Sequence, residues 1–349
     1  MKFQTALQYV GNPKQLFRID DLQLSGGRGN GMRMFQVWNG SDMEFVCSAD
    51  RCMDIHYLRC RGYNLGFLTC AGDVSPQYFD SEGMGWLHSF TAGFMTTCGL
   101  TSIGLPGEYL GQRHGLHGKI SNCPAEEAGI ATTMNENGLM GELRGVMRDC
   151  CPAGENLVLT RTIHTAWEDP CIRVHDVVYN GGRTAALHMI LYHFNLGFPL
   201  LSEQTQILLP TKLVTPRDRE AAAHPNDWNK LHPPLDDFPE MCYYHELKSD
   251  AAGKTFVAAF EPHLGVGVAI HFDRTVLDHF VQWRQLTAGY YAIGLEPCNA
   301  TIDGVQDAVE NGSAKWLGPG ETVTYDLTIE ILTEQARFDA LGVECQHYT

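Results

Sequence analysis

Apolar and polar residues alternate in short runs along most of this chain, and sustained helical periodicity is scarce. Residues 158–164 (VLTRTIH) and 171–178 (CIRVHDVV) alternate with a period of two, which predicts two paired strands joined by TAWEDP. NGGR at 180–183 predicts a turn. Further strand-like runs are TAALHMILYHFNLGF, FVAAFEP, GVGVAIHF, YYAIGLEP and TVTYDLTIEIL.

Turn-forming residues bound each run, and dipeptides such as Asn137-Gly138 mark tight turns between them. The 36 glycines are scattered, as in proteins whose many strands are joined by turns. No repeat of fixed period is present, which argues against a propeller or a solenoid. We therefore predict an all-β, mainly antiparallel fold of two large stacked sheets. Short helices are expected near 82–90 and 334–341, and a surface excursion over 210–240.

The 349 residues show no break in composition, so a single domain over residues 1–349 is expected. The formal net charge of −16 disfavours nucleic acid and anionic membranes as partners. No apolar stretch approaches the length of a membrane helix, and the N-terminus lacks the apolar region of a signal peptide. The 12 cysteines include no CxxC pair, which is typical of reduced thiols in a cytoplasmic protein.

Two strand ends carry the strongest candidates for chemistry. In GYYAIGLEPCNATIDG, Glu296 shares a strand face with small residues, and a carboxylate there is costly unless it is paired, exposed or functional. In LHMILYHFNLGFPLL, the apolar face that includes Leu191 continues into His193 and Asn195, as in the lining of a cleft. The alternatives are an exposed Glu296 and a buried His193 bonded to a backbone carbonyl.

Two further segments carry weaker candidates. The glycine-punctuated loop GQRHGLHGKISN contains His114 and His117, and it could equally be an ordinary surface loop. Arg51 shares a predicted strand face with apolar residues and needs an acceptor, for which Asp54 is the structural alternative to a ligand. The aromatic residues that could stack on a sugar are Trp86, Phe194, Trp283 and Tyr290.

Together these segments resemble the aldose 1-epimerase (galactose mutarotase-like) superfamily, and above all its little-characterised branch of domains of unknown function. The resemblance covers most of the chain through the ordered blocks DRCMDI, TCGL, GLHGKISNCPAE, YHFNLGFPLL, QWRQLTAGYYAIGLEPCN and LGPGET. It implies a β-supersandwich with an open sugar-binding cleft and neither metal nor cofactor.

Carried over by motif, the resemblance makes Glu296 the general base and His193 the general acid. His117 and Arg51 would bind sugar hydroxyls, and the full predicted binding set is His117, Arg51, His114, Asn195, His245 and Trp283. The sequence departs from the family pattern in two ways. His193 stands directly before Phe194 rather than three residues before it, and the sugar-gripping aspartate has no clear match near His245 in CYYHELK.

The implied reaction is mutarotation: Glu296 takes the O1 proton of a small-molecule sugar, and His193 protonates the ring oxygen. One alternative is an isomerase, epimerase or lyase of keto-sugars or sugar acids, in which His114, His117, His193 and His245 could hold a metal. The other is a carbohydrate-binding protein without catalysis. The sequence leaves the sugar open, and it allows either a monomer or a homodimer.

Overall fold

Strands dominate the computed structural model, which describes residues 2–349. Those of the N-terminal third are β1 (Arg18–Gln23), β2 (Arg33–Trp38), β3 (Met43–Ser48), β4 (Asp54–Cys60), β5 (Tyr63–Asn64), β6 (Phe67–Leu68), β7 (Ala92–Gly93), β8 (Met95–Leu100), β9 (Gly107–Tyr109) and β10 (Gln112–His114).

Longer strands follow. They are β11 (Glu126–Asn135), β12 (Gly138–Cys150), β13 (Asn156–Ala166), β14 (Cys171–Asn180), β15 (Ala186–Gly197), β16 (Gln206–Leu208), β17 (Thr211–Pro216), β18 (Met241–Leu247), β19 (Lys254–Glu261), β20 (Val266–Asp273), β21 (His279–Thr287), β22 (Tyr290–Cys298), β23 (Lys315–Leu317) and β24 (Thr322–Leu332).

Helices are short and lie between strands or at the ends of the chain. The α-helices are α1 (Phe3–Ala6), α2 (Arg219–Ala223), α3 (Val305–Glu310) and α4 (Gln335–Glu344). The 3-10 helices are Leu7–Tyr9, Pro13–Gln15, Pro76–Tyr78, Gly85–Ser89, Ile120–Asn122 and Cys345–His347. No helix within residues 2–349 is long and apolar enough to cross a membrane.

Three large sheets organise the described residues. An eight-stranded sheet has the order β11-β12-β13-β14-β24-β20-β19-β16, and a seven-stranded sheet has the order β17-β18-β21-β22-β15-β23, with β8 also paired to β15. A five-stranded sheet, β1-β2-β3-β4-β5, precedes them in the chain. The pairings within the two largest sheets are antiparallel, for example Val158↔Tyr179 between β13 and β14.

These elements confirm most of the predicted pattern. β13 and β14 pair as expected, Asn137-Gly138 joins β11 to β12, and helices occupy both predicted regions. Residues 210–240 lie largely at the surface, as predicted, and the segment opens with β17 and continues into α2 before its irregular part. β17 has no clean alternation, since none of its six residues is buried: three are partly buried and three are exposed.

The core lies where the two largest sheets face each other. Alternate residues of β13 point inward and are buried, as its alternating burial pattern requires. Apolar residues of β13, β14 and β24 meet those of β15 and β22 in one continuous cluster, for example Leu159, Val174, Ile329, Phe194 and Leu295. The opposite face of the seven-stranded sheet carries a second cluster, to which Met189, Leu191 and Trp283 contribute.

One inward position of β13 is charged. The Arg161 guanidinium is fully buried and is bound by two carboxylates, with Nη1 at 2.6 Å from Asp54 Oδ1 and Nη2 at 2.6 Å from Asp176 Oδ2. It also donates to Thr97 Oγ1 at 2.9 Å, and Tyr192 Oη donates to Asp176 at 2.7 Å. The network thus joins β4, β8, β13, β14 and β15.

We expect Arg161→Met to lower the free energy of unfolding by about 3–5 kcal/mol, because it leaves two buried carboxylates without their counter-charge. Arg148→Met is the matched control, since Arg148 pairs with Glu126 on the surface, where an ion pair contributes less than about 1 kcal/mol. Chemical denaturation of both variants measures the difference. Equal losses would contradict a structural role for the buried network.

Candidate functional site

The principal candidate site is a pocket on the outer face of the seven-stranded sheet. The empty space within it, counting its open mouth, is about 650 Å³. Its lining residues are Met84, Trp86, Leu87, Phe90, Gly104, Leu105, Leu116, His117, His193, Arg217, Glu240, Cys242, Trp283, Tyr290, Glu296 and Ile302.

His193 and Glu296 face each other across two neighbouring strands. The register pairs Leu191↔Cys298 and Phe194↔Leu295 place His193 of β15 opposite Glu296 of β22. Both side chains point into the pocket, and their Nε2 and Oε1 atoms are 3.2 Å apart. The sequence prediction that these two strand ends line a cleft therefore agrees with the structure.

Gly294 makes room for this pair. A Cβ atom at Gly294 would collide with Glu296 Oε1 and would lie 3.1 Å from both His193 Cε1 and Trp283 Cβ. Gly294 precedes Glu296 by two residues, so the two positions share one face of β22. The lack of a side chain at position 294 therefore lets the carboxylate fold back over the strand towards the imidazole.

Both members of the pair are buried, and their hydrogen-bonding capacity is not used up. Within residues 2–349, neither Glu296 Oε1 nor His193 Nδ1 has a hydrogen-bond partner. Such unpaired buried atoms are uncommon in folded proteins and need an explanation. Both atoms are also screened from solvent, although the two side chains line the pocket.

Burial shifts the two pKa values towards the neutral forms. It raises the pKa of Glu296 well above the ordinary value, with Glu240 adding to the effect and Arg217 opposing it. It lowers the pKa of His193 to about 3, with His117 adding to the effect. Burial therefore favours the uncharged form of each group.

His117 is the third titratable ring at the pocket wall. Its backbone has a positive φ of 56° and donates to Gly104 O at 2.9 Å, and its ring lies 5.8 Å from that of His193. Burial lowers the pKa of His117 to about 4. Its Nδ1 accepts the Gly104 N–H at 3.4 Å, so the proton of the neutral ring is assigned to Nε2, which can donate to a ligand.

Aromatic rings form part of the pocket surface. Trp283 lies on β21 with its ring 5.6 Å from His193 and 6.0 Å from Tyr290. Trp86 stacks on Phe90 at 4.4 Å and donates its indole N–H to Ser121. The pocket thus combines aromatic faces with a few polar groups, and the predicted position of Trp283 in the cleft agrees with the structure.

Two charged residues of the pocket were missed by the sequence analysis. Arg217 follows β17, and its Nε donates to Asp303 at 2.7 Å, while Tyr244 Oη donates to the other oxygen of Asp303 at 2.5 Å. Glu240 directly precedes β18. Both lie near the ends of the segment 210–240, which was predicted to be a surface excursion. A charged residue next to a strand end was the sequence signal that could have identified them.

Arg51 does not line this pocket. Residues 49–53 form a turn rather than a strand, with positive φ at Cys52 and Met53, so the predicted strand face is wrong. Arg51 is buried, and it donates to three backbone carbonyls, those of Ser121, Val74 and Ser89 at 2.6–3.0 Å. It holds three loops together, and Asp54 is bound by Arg161 instead.

Three other predicted binding residues also lie outside the pocket lining. His114 lines a separate cavity with Gln112, Glu155 and Trp316. His245 is buried with its Nδ1 3.0 Å from Thr211 Oγ1. Asn195 is buried behind His193 and donates to the carbonyl of His193 at 2.9 Å, so it supports the strand rather than lining the cavity.

The four histidines considered for metal binding do not gather in one place. His117 and His193 share the pocket, whereas His114 and His245 lie in two other environments. In the described part of the chain, no group of three or more His, Cys, Asp or Glu side chains is arranged to hold a metal ion. Each of the twelve cysteines is a free thiol.

Comparison with known proteins places this geometry in a family. Residues 29–331 match the family described as a domain of unknown function, DUF4432. No curated protein matches the chain.

Several solved structures share the fold. A candidate aldose 1-epimerase from Klebsiella pneumoniae subsp. pneumoniae MGH 78578 is 24% identical, with a TM-score of 0.91 over 96% of this chain and 90% of that one. A galactose mutarotase-like protein from Clostridium acetobutylicum is 11% identical, with a TM-score of 0.64 over 91% and 99%. Galactose 1-epimerase from Lactobacillus acidophilus NCFM is 12% identical, with a TM-score of 0.58 over 91% and 99%. The predicted galactose mutarotase-like β-fold is thereby confirmed.

The burial of His193 and His117 predicts that neither imidazole titrates between pH 8 and pH 5, because their pKa values are lowered to about 3 and about 4. NMR titration of the histidine ring resonances measures this directly. The two signals are assigned by their loss in His193→Asn and His117→Asn. A midpoint near the ordinary value of about 6.5 for either ring would contradict this description of the site.

Proposed function

This chain belongs to the DUF4432 family of domains of unknown function, and from its fold and pocket we propose that it is an aldose 1-epimerase-like isomerase. The proposed reaction interconverts the two anomers of a free sugar. The observation that carries the proposal is the His193–Glu296 pair, which lines the pocket with Nε2 and Oε1 3.2 Å apart.

Anomer exchange needs one group that accepts a proton and one that donates a proton at the same time. The O1 hydroxyl loses its proton, the bond between C1 and the ring oxygen breaks, and the ring oxygen takes its electron pair and a proton. The resulting aldehyde rotates about the C1–C2 bond, and the reverse steps close the ring to the other anomer. Two neighbouring side chains, of which one is protonated, can donate one proton and accept another without a cofactor.

The protonation state favoured by burial reverses the roles that the family resemblance implies for ring opening. With Glu296 neutral and His193 neutral, His193 accepts the O1 proton and the Glu296 carboxylic acid protonates the ring oxygen. On closure, the Glu296 carboxylate takes the proton back from the ring oxygen, and the His193 imidazolium returns one to O1. Each group therefore acts once as acid and once as base, and the site ends in its starting state.

The remaining polar residues of the pocket are suited to binding sugar hydroxyls. His117 offers its Nε2–H as a donor, and Glu240 offers carboxylate acceptors. Arg217 is oriented through its Nε by Asp303, and its side chain lines the pocket. Trp283 offers an indole surface to the C–H groups of a pyranose. We assign these four residues as the hydroxyl- and ring-binding groups.

We expect Glu296→Gln and His193→Asn each to lower kcat for anomer exchange by about 10²–10⁴-fold, the usual contribution of a general acid–base group. His114→Asn is the matched control, because His114 lines another cavity and should leave the rate unchanged. One-dimensional exchange NMR on a panel of aldoses measures these rates against the reaction in water.

The same experiment separates the proposal from its alternatives. Sugar binding without any acceleration by the wild-type protein would indicate a carbohydrate-binding protein instead. Equal losses in His114→Asn and His193→Asn would show that the pocket pair does not carry the chemistry.

Arg217→Met should raise KM and lower kcat/KM by about 10–100-fold, because a hydrogen bond from a charged group contributes about 1.5–3 kcal/mol. Arg217→Lys should restore part of the loss by keeping the charge. Arg148→Met is the control, because Arg148 lies on β12 and outside the pocket. An unchanged kcat/KM in Arg217→Met would show that Arg217 does not bind the sugar.

A further inference from the structure

Three large apolar side chains are exposed at the pocket. Met84, Leu87 and Leu105 are 50%, 44% and 41% exposed, yet each lines the cavity that holds His193 and Glu296. Exposed apolar residues that occur singly need no explanation, but a group that lines one cavity indicates a ligand surface. We call these three residues, with Leu116 and Ile302, the apolar rim.

Backbone hydrogen bonds hold the apolar rim together although its members come from distant parts of the chain. Leu116 N donates to Gly83 O at 2.9 Å, beside Met84. Leu105 N donates to Ile302 O at 2.9 Å. The rim is therefore a built feature of the pocket wall, because its segments are bonded to one another by their main chains.

A fully hydroxylated hexose is a poor match to this wall. Each hydroxyl placed against the rim would lose its hydration without gaining a hydrogen bond, which is unfavourable. A methyl group in the same place would remove apolar surface from water, which is favourable at about 25 cal/mol per Å². The pocket therefore offers one surface for hydroxyls, at His117, Arg217 and Glu240, and another for an apolar substituent.

The proposed chemistry restricts where such a substituent can be. The anomeric carbon must carry a free hydroxyl for the ring to open, so an apolar group cannot be attached through O1. A methyl group on C5, in place of the hydroxymethyl group of a hexose, satisfies this condition and leaves the ring hydroxyls for the polar surface.

We propose that the substrate is a 6-deoxyaldose whose C5 methyl group packs against the apolar rim, a substrate class that rests on the anomer exchange proposed above. A hydrophobic pocket distinguishes ligands that differ by one small group by about 10–200-fold. The expected preference in kcat/KM for the 6-deoxy sugar over its parent hexose is therefore at least about tenfold.

The test compares pairs of sugars that differ in the C6 hydroxyl alone: D-fucose with D-galactose, L-fucose with L-galactose, L-rhamnose with L-mannose, and 6-deoxy-D-glucose with D-glucose. Exchange NMR gives kcat/KM for each sugar. At least one deoxy sugar should exceed its parent tenfold, and 3-O-methyl-D-glucose should gain nothing over D-glucose. Equal values in every pair, or a gain for 3-O-methyl-D-glucose alone, would overturn the proposal.

Substitutions in the apolar rim test whether the rim causes the preference for 6-deoxy sugars. Leu105→Gln and Met84→Gln should each reduce the ratio of kcat/KM for the 6-deoxy sugar to kcat/KM for its parent hexose. Leu22→Gln is the matched control, because Leu22 is 43% exposed and lies on β1, outside the pocket. A preference that survives unchanged in both rim variants would overturn the assignment to Met84 and Leu105.

Binding measured apart from turnover distinguishes failure of this inference from failure of the proposed reaction. Trp86 and Trp283 line the pocket, so quenching of tryptophan fluorescence reports sugar binding without any reaction. Tighter binding of deoxy sugars without anomer exchange would refute the reaction and uphold the substrate class. Accelerated exchange with equal binding and equal rates in each pair would uphold the reaction and refute the substrate class.

Discussion

The guanidinium of Arg161 lies in the apolar interior of the sandwich, where an unpaired charge would be strongly unfavourable. Its stability there depends on Asp54 and Asp176, which are themselves buried and need its positive charge. Because these residues belong to different strands, the ion pairs form only when the sheets are correctly assembled. Tyr192 joins the network through Asp176 and precedes His193 directly, so the network also fixes the strand that presents the site.

On the outer face of the seven-stranded sheet, buried polar groups are not paired in this way. Behind β15, the charges of Arg161 and its carboxylates are compensated by short hydrogen bonds. On the pocket side, His193 and Glu296 are equally buried, but within the described residues Glu296 Oε1 and His193 Nδ1 remain without partners. Burial on this side shifts the pKa of each group towards its neutral form.

The pocket wall combines two kinds of surface that arise from different parts of the fold. Regular strands supply His193, Trp283 and Glu296, whose orientation follows from the period of two. Irregular segments supply the others, including His117 with its positive φ and the members of the apolar rim, and they are tied together by main-chain hydrogen bonds. In the function that we propose, the strands provide the groups for the reaction, and the loops provide the groups that select the ligand.

The sequence by itself determined the strands with clean alternation, the class of fold, and the two residues that strand periodicity places on the pocket face, His193 and Glu296. It could do so because side-chain direction in a strand depends on local backbone geometry alone. Hydrogen-bond and ion-pair partners, in contrast, come from residues that are far apart in the chain. Arg161 binds Asp54, which is 107 positions away in the chain, and Arg51 donates hydrogen bonds to backbone carbonyls of three loops. Long-range packing decides which polar groups meet in a cavity. Only the tertiary structure could therefore show that Arg217 and Glu240 line the pocket. It also showed that four predicted residues lie outside the lining: Arg51, His114, Asn195 and His245.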